Sequence, residues 1–459
     1  MRIHPSDTVE VRADGQKYAL YDISVGERVI KYGFPIGIAT AAIQKGEQVG
    51  LHNLKTALSG LGDWRYEPAP AVDFPTLEGT FMGYARADGR VGIRNELWII
   101  PTVGCINHVV RQLAEMSGGR GLTHPYGCSQ LGGDLLTTQK ILCGLIRHPN
   151  AGGVLVLGLG CENNGLGELK KILGEDYDHE RVRFLNLQDC ENEIEEGMRL
   201  IGELKVAMAR DVRTPCPLSA LRIAVKCGGS DGYSGITANP LVGRVSERFF
   251  SAGATVLMSE IPEVFGAEQL LLSRAVSREV FDRAAGMIRA FRQYFIDHGE
   301  SIAENPSPGN VAGGITTLEE KSLGCVQKAG CVPLCGALDF GEQPNEGKGL
   351  YLVNGPGNDL VAITNLAASG AHIILFTTGR GTPLCAPVPT LKIATNSALY
   401  RKKPHWMDFD TGALMDGTAM DDLTDGLFAL CLATAEGQPS VGERAGSCDI
   451  AIFKDGVTL

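Results

Sequence analysis

The chain has 459 residues, a length that allows about three domains of roughly 150 residues each. Glycine accounts for 59 residues, about 13% against an average near 7%, without the period of a collagen. The 42 basic and 53 acidic residues leave a formal net charge of −11, which argues against a nucleic-acid-binding protein. Because no run of 18 apolar residues and no apolar signal segment is present, we expect a cytoplasmic protein without a membrane span.

The first 58 residues predict a small all-β module. They consist of short alternating runs separated by turn residues. One stretch is repeated: residues 23–29, ISVGERV, return as residues 43–49, IQKGEQV. Each copy has the pattern of a turn that enters a strand.

Residues 59–79 are predicted to connect this module to the rest of the chain. The segment contains Pro68, Pro70 and Pro75 and lacks hydrophobic periodicity. Proline at this density favours an extended, semi-rigid linker.

From residue 80 onward the pattern changes to strand, glycine-rich loop and helix. We divide this part into two α/β regions, 80–215 and 216–459. Apolar runs that alternate with helices are typical of mainly parallel sheets covered on both faces. The predicted strands are 96–102, 153–158, 221–226, 254–259, 349–353 and 372–377.

Cysteine and glycine spacing exclude several cofactor motifs. None of the thirteen cysteines forms a C-x-x-C pair, so we expect no zinc ribbon and no iron–sulfur cluster. The glycine-rich loops fit neither G-x-G-x-x-G nor the P-loop spacing, so we expect no nucleotide cofactor.

The remaining signal is a set of loops, each following a strand, that carry reactive side chains. Loops that follow parallel strands meet at one edge of a sheet, where α/β proteins bind ligands. Any one of these residues alone is more often a cap or core filler, but together they predict one composite site. The segments are HPYGCSQ at 124–130, CENN at 161–164, CGGSD at 227–231, NPSPGN at 305–310 and GRGTP at 379–383.

Several long strings resemble the altronate/galactarate dehydratase family. The likeness covers essentially the full chain, and residues 1–58 resemble the family's SAF-type β-clip domain. The strings are GYARADGRVGIRN, HPYGCSQLGGD, GLGCENN, CGGSDGYSGITANP, EIPEVFGAEQL and TTGRGTP.

The resemblance implies a hydro-lyase of hexuronate catabolism that dehydrates D-altronate to 2-dehydro-3-deoxy-D-gluconate. Galactarate dehydratase is the first alternative, and a sulfolactate sulfo-lyase is a weaker one. A non-catalytic sugar-acid-binding protein is a distant alternative. The expected partner is a small sugar acid, and the sequence leaves a homo-oligomer open.

The resemblance also implies a divalent metal, Fe²⁺ with Mn²⁺ as the alternative ion. We expect His52, with Cys128 or His124, to contribute to the metal site, although Gly50 stands where relatives often carry a second histidine. The acid and base are sought among His124, Glu162, Asp231 and Lys321. Substrate binding is expected from Ser230, Asn310, Arg380 and Lys392.

Overall fold

The N-terminal β module is built from two small antiparallel sheets. We describe residues 1–175, 177–303, 305–345 and 347–457 of a computed structural model. The first sheet has the order β1-β2-β5 and the second β3-β4-β6. The strands are β1 (Val9–Val11), β2 (Lys17–Ala19), β3 (Arg28–Lys31), β4 (Phe34–Ala39), β5 (Gln48–Val49) and β6 (Leu54–Lys55).

The repeated stretch of the sequence pairs with itself in this module. Ile23 and Ile43, the first residues of the two copies, form a two-way antiparallel bridge. Their backbone N–H groups donate to each other's carbonyl oxygens at 2.8 and 2.9 Å. The internal repeat therefore marks the centre of a pseudosymmetric β fold.

The second region contains a four-stranded parallel sheet, with the order β10-β9-β11-β12, and a small antiparallel sheet, β13-β7-β8. Its strands are β7 (Thr80–Ala85), β8 (Val91–Gly92), β9 (Glu96–Pro101), β10 (Arg120–Gly121), β11 (Ala151–Gly158), β12 (Val182–Asn186) and β13 (Thr214–Pro217). Its helices are α1 (Asn107–Ser117), α2 (Gly132–Ile146), α3 (Leu166–Leu173) and α4 (Glu193–Met208).

The third region is organised by a seven-stranded, wholly parallel sheet. The strand order is β16-β17-β15-β14-β18-β19-β20. The strands are β14 (Arg222–Cys227), β15 (Thr255–Met258), β16 (Leu334–Leu338), β17 (Gly349–Val353), β18 (Ile373–Thr378), β19 (Thr390–Ala394) and β20 (Phe409–Asp410).

Helices cover both faces of this sheet, and its central strands are buried except for Arg222 at the start of β14, which is half-buried. The helices are α5 (Ala238–Ser251), α6 (Glu268–Leu272), α7 (Arg278–Asp297), α8 (Pro308–Ala312), α9 (Leu318–Cys325), α10 (Asp359–Ala368), α11 (Ser397–Lys402), α12 (Met420–Ala435) and α13 (Val441–Arg444). The expected fold class, a β-clip module followed by α/β regions with mainly parallel sheets, is confirmed.

Helices α2 and α10 join the two parallel sheets side by side. The Gln343 side chain donates to the carbonyl oxygens of Gly144 and Ala368, at the C-terminal ends of both helices. One turn earlier in both helices, Gly341 N donates to Asn365 Oδ1 and Gly341 packs against the Lys140 carbonyl oxygen, so the two helices run in the same direction. Since each helix follows a strand of its own sheet, the carboxyl edges of both sheets lie on one side of the molecule.

Buried ion pairs attach the β module to the third region. Lys17 and Lys31 each form an ion pair with Glu320 of α9, at 2.9 and 2.8 Å. All three side chains are about 1% exposed. The Lys17 ammonium also donates to the carbonyl oxygen of Gly314 and to Thr316 Oγ1.

The proline-rich segment runs over the surface of the third region. The N–H groups of Ala69 and Leu77 donate to the carbonyl oxygens of Ser273 and Ser251. Across the described residues we find no helix with both the length and the apolar composition of a membrane span.

Candidate active site

Loops that follow the strands of the seven-stranded sheet meet at its carboxyl edge. The loop after β14 carries Ser230 and Asp231, and the loops after β18 and β19 carry Arg380 and Asn396. These three strands are adjacent and parallel, so their loops are brought together by the sheet itself.

Asp231 is the hub of this loop group. Its Oδ2 atom accepts from Thr395 Oγ1 at 2.9 Å and Asn396 Nδ2 at 3.1 Å, and Oδ1 accepts from Ser234 Oγ at 3.1 Å. Burial raises the pKa of the Asp231 carboxyl, although these hydrogen bonds oppose the shift. A Cβ atom on Gly379 would overlap this carboxylate, so glycine is required there.

Asn310 and Ser230 lie beside Asp231. The Asn310 amide donates to the carbonyl oxygen of Ser230 at 2.9 Å, and Gly232 N donates to Gly313 O at 2.7 Å. The loop that contains Asn310 therefore packs on the loop after β14. The structure brings three residues expected from sequence, Ser230, Asp231 and Asn310, into one group.

Arg380 and Lys392, the two expected anion-binding residues, differ in exposure to solvent and in their hydrogen-bond partners. Arg380 is exposed, and no described carboxylate forms an ion pair with it. The Lys392 ammonium is buried and donates to the carbonyl oxygens of Thr382 and Leu384. Burial lowers the pKa of Lys392. Arg380 thus faces solvent, and its binding of an anion stays a prediction, whereas Lys392 supports the loop between β18 and β19.

A buried group of thiols and carboxylates lies behind the loop after β14. Cys227, Glu260, Glu263 and Cys325 place one possible ligand atom each within 4.8 Å of one another. The two sulfur atoms are 3.6 Å apart and both thiols are free. Cys227 ends β14, Cys325 ends α9, and the two glutamates lie in or beside the 3₁₀ turn after β15.

Lysine side chains surround these carboxylates. Glu260 accepts from Lys226 and from Lys328, the latter at 2.8 Å, and all three side chains are fully buried. Lys226 also pairs with Asp359, at the start of α10, at 2.8 Å. Glu260 has a left-handed backbone with φ of 73°, which is unusual for a non-glycine residue and is held by these ion pairs.

Lys321 occupies the side of this group nearer to the loops. Its ammonium pairs with Glu263 at 2.8 Å and donates to Asn305 Oδ1 at 3.0 Å. Although burial opposes it, Glu263 raises the pKa of Lys321. For Glu263, burial alone would raise the pKa of the carboxyl. The ammonium groups of the nearby lysines have the larger effect and lower this pKa to about 2.

The loops of the second region form a separate group around Glu162 and His124. Glu162 accepts from Thr102 Oγ1 at 2.5 Å and from the N–H groups of Leu159 and Gly160. Burial opposes ionisation of Glu162, but these hydrogen bonds lower its pKa. The carboxylate therefore stabilises its own loop.

His124 is buried with both ring nitrogens engaged. Nε2 lies 2.9 Å from the Pro101 carbonyl oxygen, and Nδ1 accepts from the Tyr126 N–H. Burial lowers the pKa of His124 to about 4, so the ring is neutral at pH 7. Such a ring orders the loop, and catalysis by His124 stays a prediction.

The two residues expected to bind metal lie apart in the fold. Cys128 is exposed at the carboxyl edge of the four-stranded sheet, with its sulfur 3.6 Å from Asn163 Oδ1. His52 lies on an exposed turn after β5 of the N-terminal module. No contact joins them among the described residues, and their pairing stays a prediction.

Sequence reasoning missed the buried lysines and did not assign the ligand group behind them. Lys226 and Lys328 were not singled out, and no metal-binding role was given to Cys227, Glu260, Glu263 or Cys325. One signal was available: Lys226 interrupts the apolar strand LRIAVKC, where a cation requires a buried partner.

Three family models match the chain in succession. The altronate/galactarate dehydratase SAF domain matches residues 1–57. The second domain of D-galactarate dehydratase/altronate hydrolase matches residues 83–209, and the C-terminal domain of D-galactarate/altronate dehydratase matches residues 218–458.

Curated relatives match over nearly the whole chain. The altronate dehydratase of Escherichia coli K12 is 48% identical over 99% of this chain and 94% of its own length. The altronate dehydratase of Bacillus subtilis 168 is 47% identical over 98% and 94%. The galactarate dehydratase (L-threo-forming) of E. coli K12 is 33% identical over 94% and 87%. The resemblance inferred from short motifs thus extends over the full length, and the chain belongs to the altronate/galactarate dehydratase family.

Proposed function

We propose that this protein is a hydro-lyase that dehydrates D-altronate to 2-dehydro-3-deoxy-D-gluconate. The observation that carries this proposal is the 48% and 47% identity to two altronate dehydratases over nearly their full length, against 33% to a galactarate dehydratase. The expected partner is therefore a small, polyhydroxylated carboxylic acid.

This reaction places three demands on the protein. The C2 proton is α to a carboxylate and is weakly acidic, so the dianionic intermediate that follows its removal must be stabilised by positive charge. A base must accept the C2 proton, and an acid must protonate the departing C3 hydroxyl. The carboxylate itself must be held in a fixed orientation.

Arg380 is our candidate for holding the substrate carboxylate. Its guanidinium is exposed beside the Asp231 loop group, and a guanidinium can bind a carboxylate through two parallel hydrogen bonds. Glycines at 229 and 379 pack the two loops closely, because Gly229 O accepts from the N–H groups of both Gly379 and Arg380 at 3.0 Å. Ser230 and Asn310 lie on the same side of this loop pair and are proposed to contact the substrate.

Asp231 and Lys321 are our candidates for the acid and base. The raised pKa of Asp231 makes its carboxylate a stronger base than an ordinary aspartate, and the raised pKa of Lys321 keeps its ammonium protonated. We therefore assign proton removal to Asp231 and proton donation to Lys321. Glu162 and His124 are assigned to loop support, because hydrogen bonds lower the pKa of Glu162 and the buried His124 ring is bonded to backbone groups through both nitrogens.

The buried group of Cys227, Glu260, Glu263 and Cys325 fits a divalent metal ion in donor type and number. Sulfur and carboxylate oxygen are both ligands of divalent transition metals, and two thiolates would balance the charge of the ion. The lysines nearby are already balanced by Glu260, Glu263 and Asp359. Complete burial is typical of a closed site, in which the ion supplies structural stability.

A product assay tests this function. Protein loaded anaerobically with Fe²⁺ and reductant is supplied with D-altronate and with galactarate separately, and the 2-keto-3-deoxy product is measured. We expect product from D-altronate at the higher kcat/KM. Turnover of galactarate alone would assign the galactarate branch, and binding of both acids without turnover would assign a sugar-acid-binding protein.

A further inference from the structure

A turn of the β module lies against the loop that carries Asp231. The turn connects β1 to β2 and comprises residues 12–16. Its own backbone closes it, because Gly15 N donates to Arg12 O at 3.0 Å and Arg12 N donates to Gln16 O at 3.1 Å. The β module therefore reaches the group of loops in which the proposed acid and base lie.

Glycines allow this turn to touch the Asp231 loop through backbone atoms. The Gly15 carbonyl oxygen lies between Gly232 and Gly314, and a Cβ atom on either of these two glycines would overlap it. Gly232 N also donates to Gly313 O at 2.7 Å. Three separate segments of the chain therefore pack backbone against backbone, directly beside Asp231.

Tyr233 connects the turn to the Asp231 carboxylate. Its hydroxyl donates to the Ala13 carbonyl oxygen at 2.6 Å, and the Arg12 carbonyl oxygen lies 3.3 Å from it. Its backbone N–H donates to Asp231 Oδ1 at 3.2 Å. Burial raises the pKa of Tyr233, so the phenol stays protonated and is a donor at neutral pH. One residue thus contacts the β module through its side chain and Asp231 through its backbone.

The donors to Asp231 belong to two different parts of the fold. Thr395 and Asn396 follow β19 and donate to Oδ2, so the parallel sheet fixes their position. Tyr233 and Ser234 lie in the same loop as Asp231 and donate to Oδ1 at 3.2 and 3.1 Å. Their position depends on how well this loop is ordered. The contact with the β module therefore determines how firmly Oδ1 is held.

Hydrogen bonds within the β module give the turn a defined shape. Asp14, which is exposed, accepts from Tyr18 through Oδ2 at 2.6 Å and from Gln16 N through Oδ1 at 3.0 Å. Directly after the turn, the Lys17 ammonium donates to Gly314 O at 2.6 Å. Because the turn is already ordered by these bonds, it can hold the Tyr233 hydroxyl at a small cost in conformational entropy.

We propose that Tyr233 is a positioning residue, through which the β1–β2 turn orients the Asp231 carboxylate for removal of the C2 proton. Tyr233 itself exchanges no proton. A base must lie within hydrogen-bond reach of the proton that it accepts, so a small displacement of Asp231 lowers the rate. Arg380 is held instead by Gly229 O, so binding of the substrate carboxylate does not depend on Tyr233. The kinetic part of this inference rests on the proposed function, whereas the ordering of the loop does not.

Two variants weaken the contact from opposite sides. Tyr233→Phe deletes the hydroxyl that donates to Ala13 O, and Asp14→Ala removes the side chain that shapes the turn. Each should lower kcat for D-altronate about 3- to 10-fold, the range expected for one neutral hydrogen bond, and should leave KM within about twofold. Asp22→Ala is the matched control and should change neither constant, because this exposed aspartate accepts from Lys45 N in another turn of the β module.

The double variant tests whether both changes act through the same contact. If they do, the protein with Tyr233→Phe and Asp14→Ala together should lose about as much kcat as Tyr233→Phe alone, because the second change then removes nothing further. Circular dichroism checks that each variant is folded. Losses that multiply in the double variant would overturn the proposal. Full kcat in Tyr233→Phe, or a loss of kcat/KM that comes entirely from KM, would also overturn it.

Hydrogen exchange tests the contact without turnover. In the full-length protein, the backbone amides of residues 232–237 should exchange faster in Tyr233→Phe and in Asp14→Ala than in the wild type, and at the wild-type rate in Asp22→Ala. Equal exchange in the wild type and both variants would overturn the proposal. If the wild type forms no keto acid but the loop responds, the proposed function and the kinetic role fail while the contact stands. If the wild type is active and both variants match it, the positioning role fails while the proposed function stands.

Discussion

Arg380 and Lys392 show how burial separates two cations that look alike in the sequence. Arg380 follows β18 and Lys392 lies within β19, and both were expected to clamp a carboxylate. The Lys392 ammonium is bound to backbone carbonyls, but the Arg380 guanidinium is exposed. The sequence shows that a cationic side chain lies in or after a strand. It does not show which groups the cation bonds to, because that depends on the packing of separate segments.

Replacing Arg380 by alanine should lower kcat/KM for D-altronate by roughly 10- to 150-fold, since a hydrogen bond to a charged group contributes about 1.5–3 kcal/mol. Arg380→Lys should recover part of this loss, because lysine keeps the charge but not the bidentate geometry. Steady-state kinetics on both variants provide the measurement. Arg401→Ala, an exposed arginine on α11, is the matched control, and an equal loss in that variant would contradict the assignment.

At the scale of elements, the docking of the β module depends on one helix. Glu320 of α9 forms one ion pair with Lys17 of β2 and another with Lys31 of β3. Burial would raise the pKa of Glu320, but the two ammonium groups lower it to about 2. Three charges buried together make this contact sensitive to the loss of any one of them.

Glu320→Gln should destabilise the docked module by about 3–5 kcal/mol, because it leaves two buried ammonium groups facing one neutral amide. The thermal unfolding midpoint should fall, and proteolysis within residues 59–79 should become faster. Lys45→Met, which removes an exposed lysine of the same module, is the control and should change neither quantity. An unchanged proteolysis rate in Glu320→Gln would contradict the docking role.

The lowered pKa of Glu320 predicts that the stability of the protein depends on pH. A carboxyl whose pKa is depressed on folding stabilises the protein above its unfolded pKa, near 4.3, and loses that contribution as the pH falls through its folded pKa. The stability difference between wild type and Glu320→Gln should thus be constant above about pH 5 and shrink between about pH 4.3 and 2. Thermal unfolding at several pH values measures this difference. A difference that grows with acidification would contradict it.

Strands and helices were largely predictable, while the partners of buried charges were not. The strand predicted at 349–353 is β17, and the helix predicted after it is α10. The predicted boundary at 215/216 falls inside β13, which pairs with β7 and closes the second region. Hydrophobic periodicity reports local structure, but an ion pair such as Lys31–Glu320 joins residues 289 positions apart.

At the scale of the molecule, the two parallel sheets present their carboxyl edges on one side. Glycine, in excess in the composition, allows the loops there to pack without side chains, as at Gly379 against Asp231. The motifs of the family lie mainly in these loops, so membership was accessible from sequence. The composite site was expected from these loops, but the hydrogen bond that joins Asn310 to the loop of Ser230 and Asp231 is visible only in the structure.

The most direct test of the account follows dehydration of D-altronate in D₂O by proton NMR. The anaerobically metal-loaded protein should remove the C2 proton and the C3 hydroxyl, and ketonisation should place one deuterium at C3 of the 2-keto-3-deoxy product. The rate should fall in Arg380→Ala and stay unchanged in Arg401→Ala. Recovery of unaltered D-altronate from a folded, metal-loaded protein would contradict the central claim that this chain dehydrates D-altronate.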